Sequence, residues 1–377
     1  MRTSPSDEVI KTKISPYPFA RLSVDGKSFL DLSRDGHDES LAKLHLPVFH
    51  HPGELASWLK LPVGKIAWLT ERFTVANRPL SVNTAHYHFT WLKKRSGGYR
   101  LIESPKQILR AVQDKILAEI LENVGVHDAA HGFIPGRSIL TNAQPHVNKT
   151  VVVKVDLESF YRRIRFSRIV AIFRALGYSR EMGIWLGRLT TSAAPSDLNS
   201  PSDDARANWE YLPRHLPQGA PTSPYLANLC AYSLDVRLSG LAKRFGATYT
   251  RYADDLTFSG DEEFQKSLSI FFQLMRTIIK EERFRLNSKK SRVLRISDRQ
   301  TVTGVVVNEA TNPSRKEFDR LKAILHNCKK LGPTSQNKDN HENFAAHLRG
   351  RISHMNWLNP IKGQKLLAIY NTIDWSK

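Results

Sequence analysis

Hydrophobic and polar positions along the chain switch between two periods, and the switches lay out the elements. From Glu54 onward, Leu55, Leu59, Ile66 and Leu69 recur at helical spacing with Trp58 and Trp68 nearby, which predicts a compact helical lead-in. Aromatic and basic residues then crowd together from His86 to Arg100, and Gly97-Gly98 between apolar runs predicts a hairpin whose return strand includes Leu101-Ile102. Ile108, Val112, Ile116, Ile120 and Leu121 mark an amphipathic helix. The run Val151-Val152-Val153-Lys154-Val155-Asp156 is short and β-branched, so it reads as a buried strand with Asp156 at its C-terminal end. Val170, Phe173 and Leu176 belong to a following helix, and helical periodicity returns from Leu226 to Ala242. Ala247 to Tyr252 then alternate toward Asp254-Asp255, and Leu256 to Ser259 resume the pattern. The implied unit is a strand, a tight turn carrying two acids, and a strand. A helix from Phe264 to Glu282, the basic pair Lys289-Lys290 and a strand-like Val302 to Val307 follow.

Polar punctuation separates these elements. Residues 191–210 are rich in Ser, Ala, Pro and Asp and carry four acids against one arginine, which predicts an exposed, mobile loop. The last stretch, 313–377, holds twelve basic and five acidic residues on three expected helices, parted by Pro333–Asn343 and by Asn359-Pro360. Phe318, Leu321, Leu325 and Cys328 share one face of the first helix, leaving Lys322, Lys329 and Lys330 on others.

Composition narrows the class of partner. With 377 residues the chain can bury a substantial core in two or three units. Its 56 lysines and arginines outweigh 36 acids, a formal charge of +20 with pI ≈ 9.9, and a polyanion such as nucleic acid is the natural counterpart. Cys230 and Cys328 are the two cysteines, without the paired spacing of a zinc site or disulfide framework. The first 20 residues lack an apolar core and no stretch approaches the ~18 apolar residues of a membrane span, so a cytoplasmic location is expected.

An acid at the end of one strand and an acidic pair on a hairpin turn are suited to divalent cations bound through oxygen. Transfer of a nucleotide to a hydroxyl needs two such ions about 3.5–4 Å apart. By itself a pair of adjacent aspartates is most often a solvated turn. Its surroundings lift it: Tyr252-Ala253-Asp254-Asp255 matches a YxDD box, preceded by Val155-Asp156-Leu157-Glu158-Ser159-Phe160-Tyr161 and by Leu216-Pro217-Gln218-Gly219 through Pro224.

Three ordered boxes at this spacing resemble those of reverse transcriptases. Asn142-Ala143-Gln144-Pro145-His146 fits an NAxxH signature and Val302-Thr303-Gly304 a VTG signature; with His131-Gly132-Phe133 and Gly136-Arg137-Ser138 they resemble the retron type. The resemblance spans about residues 54–377 and implies an α+β right-hand polymerase: fingers, a palm whose antiparallel sheet carries the catalytic carboxylates, and a helical thumb. The corresponding division is 1–55 N-terminal extension, 56–150 fingers and helical lead-in, 151–310 palm with an inserted loop at 191–215, and 311–377 basic thumb.

The same resemblance implies roles. Asp156, Asp254 and Asp255 would hold two Mg²⁺ ions and be catalytic. Lys94, Arg100, Tyr161 and Gln218 would contact the dNTP, with the Tyr161 ring excluding a 2′-hydroxyl. Lys289 or Lys290 is the candidate general acid, and Asn142, His146, Val302, Thr303 and Gly304 are expected to recognise RNA. The implied reaction copies a structured non-coding RNA into branched multicopy single-stranded DNA (msDNA), primed from an internal guanosine 2′-hydroxyl. The implied partners are that RNA, its DNA product and an effector protein in anti-phage defence. A group II intron-like or abortive-infection reverse transcriptase is the alternative lineage, and a non-catalytic RNA-binding scaffold the alternative class. Phe160-Tyr161 stands where two phenylalanines are common, and Arg162-Arg163 follows where a proline is common.

Overall fold

In the computed structural model, the described residues are 32–71, 78–94, 97–201 and 209–375, with the backbone of three two-residue strands nearer the N-terminus. Those strands, β1 (Val9–Ile10), β2 (Arg21–Leu22) and β3 (Phe29–Leu30), pair antiparallel in the order β1-β3-β2. The chain forms two compact units, each built from separated stretches: Met1–His127 with Ser159–Leu234, and Asp128–Glu158 with Asp235–Lys377. Compactness therefore cuts across the linear division expected from sequence.

In the first unit the expected lead-in forms the helices Pro52–Leu59 and Val63–Leu69, with Leu55, Leu59, Ile66 and Leu69 buried. Leu32, Leu41, Leu46 and Phe49 are buried too, so the described part of residues 1–55 contributes to this core. The hairpin pairs β4 (Tyr87–Lys93) with β5 (Tyr99–Pro105), Lys93 opposite Tyr99. Helices Asp38–Lys43, Gln107–Glu119, Phe166–Leu176, Arg180–Leu189 and Ser223–Cys230 also belong to the unit.

The N-terminal part of the segment expected to be an exposed loop is inside this core. Residues 191–195 and Leu198 are buried, Ser192 and His215 exchange backbone hydrogen bonds of 2.9 and 2.8 Å, and Ala194 N donates to Tyr211 O. Ala194 and Leu198 pack with Leu101, Tyr211 and Trp91. The polar composition misled because its acids concentrate in the other half; Asp203, Asp204 and Arg206 lie outside the described residues.

The second unit is organised by a four-stranded antiparallel sheet. Its strands are β6 (Val151–Asp156), β7 (Thr248–Tyr252), β8 (Asp255–Gly260) and β9 (Arg292–Arg295), in the order β7-β8-β6-β9. Central placement explains the valine run, since Val151, Val152, Val153 and Val155 are all at most 2% exposed. On one side lies the helix Leu268–Glu281, whose Phe271 ring packs 5.0 Å from Phe258 and 4.9 Å from Phe264. One helix was expected from Phe264 to Glu282, but Ser267 interrupts it after Glu262–Lys266, its hydroxyl donating to the Phe264 carbonyl and competing with the helical ladder. Leu226 to Ala242 is likewise two helices, Ser223–Cys230 and Tyr232–Arg244.

Val302–Val307 is not one strand. It folds into a hairpin of β10 (Thr301–Val302) and β11 (Val305–Val306), turning through Thr303 and Gly304 at φ 47° and 88°. Two positive φ values give the two-residue loop that suits strand twist; valines on both limbs disguised it. The three C-terminal helices form as expected, at Arg315–Leu331, Phe344–Leu358 and Pro360–Tyr370, around Leu321, Leu325, Cys328, Leu348, Ile352 and Leu366. Both cysteines are free and buried. Among the described residues no helix is long and apolar enough to cross a membrane.

Candidate active site

Backbone pairing brings the three aspartates together. Asp156 and Asp255 are register partners across β6 and β8, and Leu157 N donates to the Asp254 carbonyl at 2.9 Å. Tyr252 pairs with Asp255, leaving Ala253 and Asp254 as the turn. Ala253 has φ 54°, a left-handed conformation that costs a residue with a β-carbon about 1 kcal/mol. Beside the turn runs the His131-Gly132-Phe133 segment: His131 N donates to Arg251 O, Arg251 N donates to Ala129 O, and the Phe133 ring lies 5.9 Å from Tyr252. A β-carbon on Gly132 would stand 2.9 Å from the Ala253 nitrogen, so the glycine is what permits this approach.

Asp156, Asp254 and Asp255 line one open pocket with Lys154, Lys290 and Arg292. Burial, then repulsion from Asp255 and Asp156, pushes the Asp254 carboxyl up to about 6. Burial also raises Asp255, with Lys154 opposing and Asp156 reinforcing the shift. Oδ2 of Asp156 accepts from Lys290 Nζ at 2.8 Å and Oδ1 from Asn287 Nδ2 at 3.2 Å. That ion pair, offset by partial burial, raises the Lys290 ammonium. Lys289 does not line the pocket; of the two lysines, Lys290 is the one at the carboxylates.

Among the described residues no three His, Cys, Asp or Glu side chains are drawn into metal-ligating geometry. The donor set nevertheless fits hard divalent cations: three carboxylates share a pocket, and their mutual repulsion is what added positive charge relieves.

Lys94, Arg100, Tyr161 and Gln218 belong to the first unit. Lys94 closes the hairpin, its backbone N donating to Gly98 O and its O accepting from Gly97 N; its side chain and that of Arg100 are exposed. Tyr161 is half-buried in the short helix Phe160–Arg163, its ring 5.5 Å from that of Phe160. Gln218 is held by its carbonyl, which accepts from Glu103 N at 2.8 Å. Alongside, the buried His215 Nε2 lies 2.8 Å from Glu103 Oε2, fastening the Gln218 loop to β5.

Three of the residues expected to recognise RNA cannot touch it here. Asn142, His146 and Val302 are each 0% exposed. His146 bridges two strands, Nδ1 to Ser259 Oγ at 2.6 Å and Nε2 to Thr250 Oγ1 at 2.7 Å, and burial pushes its imidazole down to about 3, so it carries no charge for a phosphate. Val302 packs with Ala143, Val152, Val305, Val307 and Leu358, and the Thr303 hydroxyl donates to Ile139 O at 3.2 Å. The two boxes are thus halves of one packing contact, and of the five residues expected to recognise RNA only Thr303 and Gly304 reach solvent. Sequence reasoning missed Lys154 and Arg292 in the pocket lining and Asn287 as a partner of Asp156; nothing in local periodicity distinguishes them.

The sequence profile of the family described as Reverse transcriptase (RNA-dependent DNA polymerase) matches residues 92–321. The chain belongs to this family and is an RNA-directed DNA polymerase. It is 38% identical over 347 residues to the Retron Mx65 reverse transcriptase of Myxococcus xanthus, covering 92% of this chain and 77% of that one. Against the Retron Mx162 reverse transcriptase of the same organism it is 37% identical, covering 83% and 65%. With the Retron Ec86 reverse transcriptase of Escherichia coli the identity is 31%, covering 68% and 74%. Within the family it is therefore of the retron type.

Proposed function

We propose that this enzyme copies part of a structured non-coding RNA into branched msDNA, priming from the 2′-hydroxyl of an internal guanosine. The observation carrying the chemistry is the pairing of Asp156 with Asp255 across β6 and β8, with Asp254 in the same pocket. These three residues would hold two Mg²⁺ ions, which when bound activate the attacking hydroxyl and neutralise the leaving pyrophosphate. Lys290 adds positive charge beside Asp156, and we assign it, rather than Lys289, the role of the basic residue at the leaving group.

In this reading β6 to β9 are the palm, the β4–β5 hairpin belongs to the fingers, and the helices from Arg315 to Tyr370 form the thumb. Lys94 and Arg100, exposed on the hairpin, grip the triphosphate. Gln218 contacts the incoming nucleotide or template, and the Tyr161 ring rejects a 2′-hydroxyl. The Thr303-Gly304 turn and the basic thumb read the RNA by shape and phosphate, and binding weakens with salt because lysine and arginine neutralise phosphates. A nearby-encoded effector, a role in phage defence and a cytoplasmic location complete the proposal.

The test is to purify the protein with its nucleic acid and sequence what accompanies it. A single RNA species joined 2′,5′ to DNA is expected; linear copies of many RNAs would move the chain to the intron-like or abortive-infection lineages. Replacing Asp254→Asn with Asp255→Asn should abolish synthesis while RNA binding persists, and full-rate extension by that variant overturns the metal assignment. A parent that binds RNA but extends nothing would instead be a scaffold.

A further inference from the structure

The second unit contains a fully buried ion pair that the reaction as described does not use. Asp235, in the first turn of the helix Tyr232–Arg244, and Arg251, on β7, are both 0% exposed. Arg251 Nε donates to Asp235 Oδ1 at 2.8 Å and Nη2 to Oδ2 at 2.6 Å, a bidentate fork. Tyr249 Oη donates to the same Oδ1 at 2.8 Å. The remaining arm, Nη1, reaches past the strand end and donates to the Ala253 carbonyl at 3.1 Å.

A buried pair of this kind is a poor stabiliser, since desolvating both charges roughly cancels their attraction and apolar side chains of similar volume often do as well or better. What an apolar pair cannot supply is direction. A guanidinium is planar and presents five donors at fixed angles, so once two of its nitrogens are locked on Asp235 the third points one way. It points at the carbonyl of Ala253, the residue in the left-handed conformation immediately before Asp254. That carbonyl lies in the peptide plane joining Ala253 to Asp254. Fixing its direction fixes the rotation of that plane, and with it where the Asp254 Cα–Cβ bond starts.

We propose that Asp235 and Arg251 are positioning residues for the active-site turn, holding Asp254 and Asp255 in the arrangement that takes divalent cations. The inference rests on the assignment of those aspartates as cation ligands. It predicts that the pair can be replaced without loss of fold but not without loss of cation binding.

The decisive variant is Asp235→Leu with Arg251→Met and Tyr249→Phe, which exchanges the pair for apolar side chains and leaves no buried Tyr249 hydroxyl without its acceptor. Its melting temperature should match or exceed the parent's. Mn²⁺ affinity, read from the electron paramagnetic resonance signal of free ion without substrate, should fall about 10-fold or more, and kcat for primer extension with it. KM for dNTP should hold, because Lys94, Arg100 and Gln218 are untouched. A folded triple variant with parental Mn²⁺ affinity and kcat overturns the proposal. Should that variant not fold, Arg251→Lys decides, since an ammonium cannot span Asp235 and the Ala253 carbonyl as the fork does. Weakened Mn²⁺ binding at parental melting temperature supports positioning; losses that merely track unfolding, or failure of both variants to fold, make the pair a stability element and overturn it. Asp254→Asn with Asp255→Asn is the control: if it leaves the parent's Mn²⁺ binding intact, the ligand assignment has failed, not the positioning argument alone.

Discussion

The ammonium of Lys290 lies 2.8 Å from Oδ2 of Asp156, so one of the three carboxylates already holds a positive partner. Its neighbour Lys289 is exposed and does not line the pocket, although nothing in the sequence separates the two. Lys290→Met should therefore slow single-nucleotide extension on the order of 100-fold, the usual scale for removing one donor aimed at developing charge. Lys289→Met should leave the rate within about twofold, as for an exposed side chain away from the chemistry. A rate loss confined to the Lys289 variant would reverse the assignment.

Tyr161 is half-buried against Phe160, which restrains its ring. Truncation to alanine should admit rNTPs, raising the kcat/KM ratio of rNTP over dNTP by about tenfold or more, since a steric gate loses only the contacts its ring makes. Unchanged discrimination would remove the gating role.

His146 makes stability depend on pH with a definite sign. Its imidazole titrates near 3 in the folded chain against an ordinary 6.5, so above about pH 6.5 it is neutral folded or unfolded and its contribution is complete. As pH falls below that value the unfolded chain takes up a proton that the folded chain refuses, and stability drops by up to about 1.4 kcal/mol per pH unit. Urea unfolding at pH 7 and pH 5 should show the loss, with His131, also lowered by burial, to about 4, adding in the same sense. In His146→Gln the difference between the two pH values should shrink by about 2 kcal/mol; an unchanged difference would mean that His146 is protonated when folded.

Val302 is a packing residue. Val302→Ala should lower stability by about 2 kcal/mol and leave the RNA affinity of the folded protein as it was. Affinity lost at full stability would return this side chain to the RNA-contacting surface.

The sequence by itself determined what depends on neighbours in the chain. A run of valines can be buried on both faces only in a central strand, so β6 was legible, and so were the β7–β8 hairpin with its acidic turn and the apolar face of the helix Arg315–Leu331. Ordered boxes around Asp156, Gln218 and Asp254-Asp255 made the family legible as well, because chemistry that needs particular residue types at strand ends leaves them at fixed places in the chain.

Tertiary structure alone decided what depends on residues far apart in sequence. Asn142 and His146 are polar, and composition sends polar residues outward; they are inside because β7 and β8 supply hydroxyls for the imidazole and the β10–β11 hairpin covers the rest. Residues 191–195 look like loop until β5 and Tyr211 close over them. Asp235 reads as an ordinary acid in a helix's first turn until Arg251 is placed against it. A side chain's role follows from which distant atoms desolvate it and which accept its hydrogen bonds, and those partners exist only after the chain has folded.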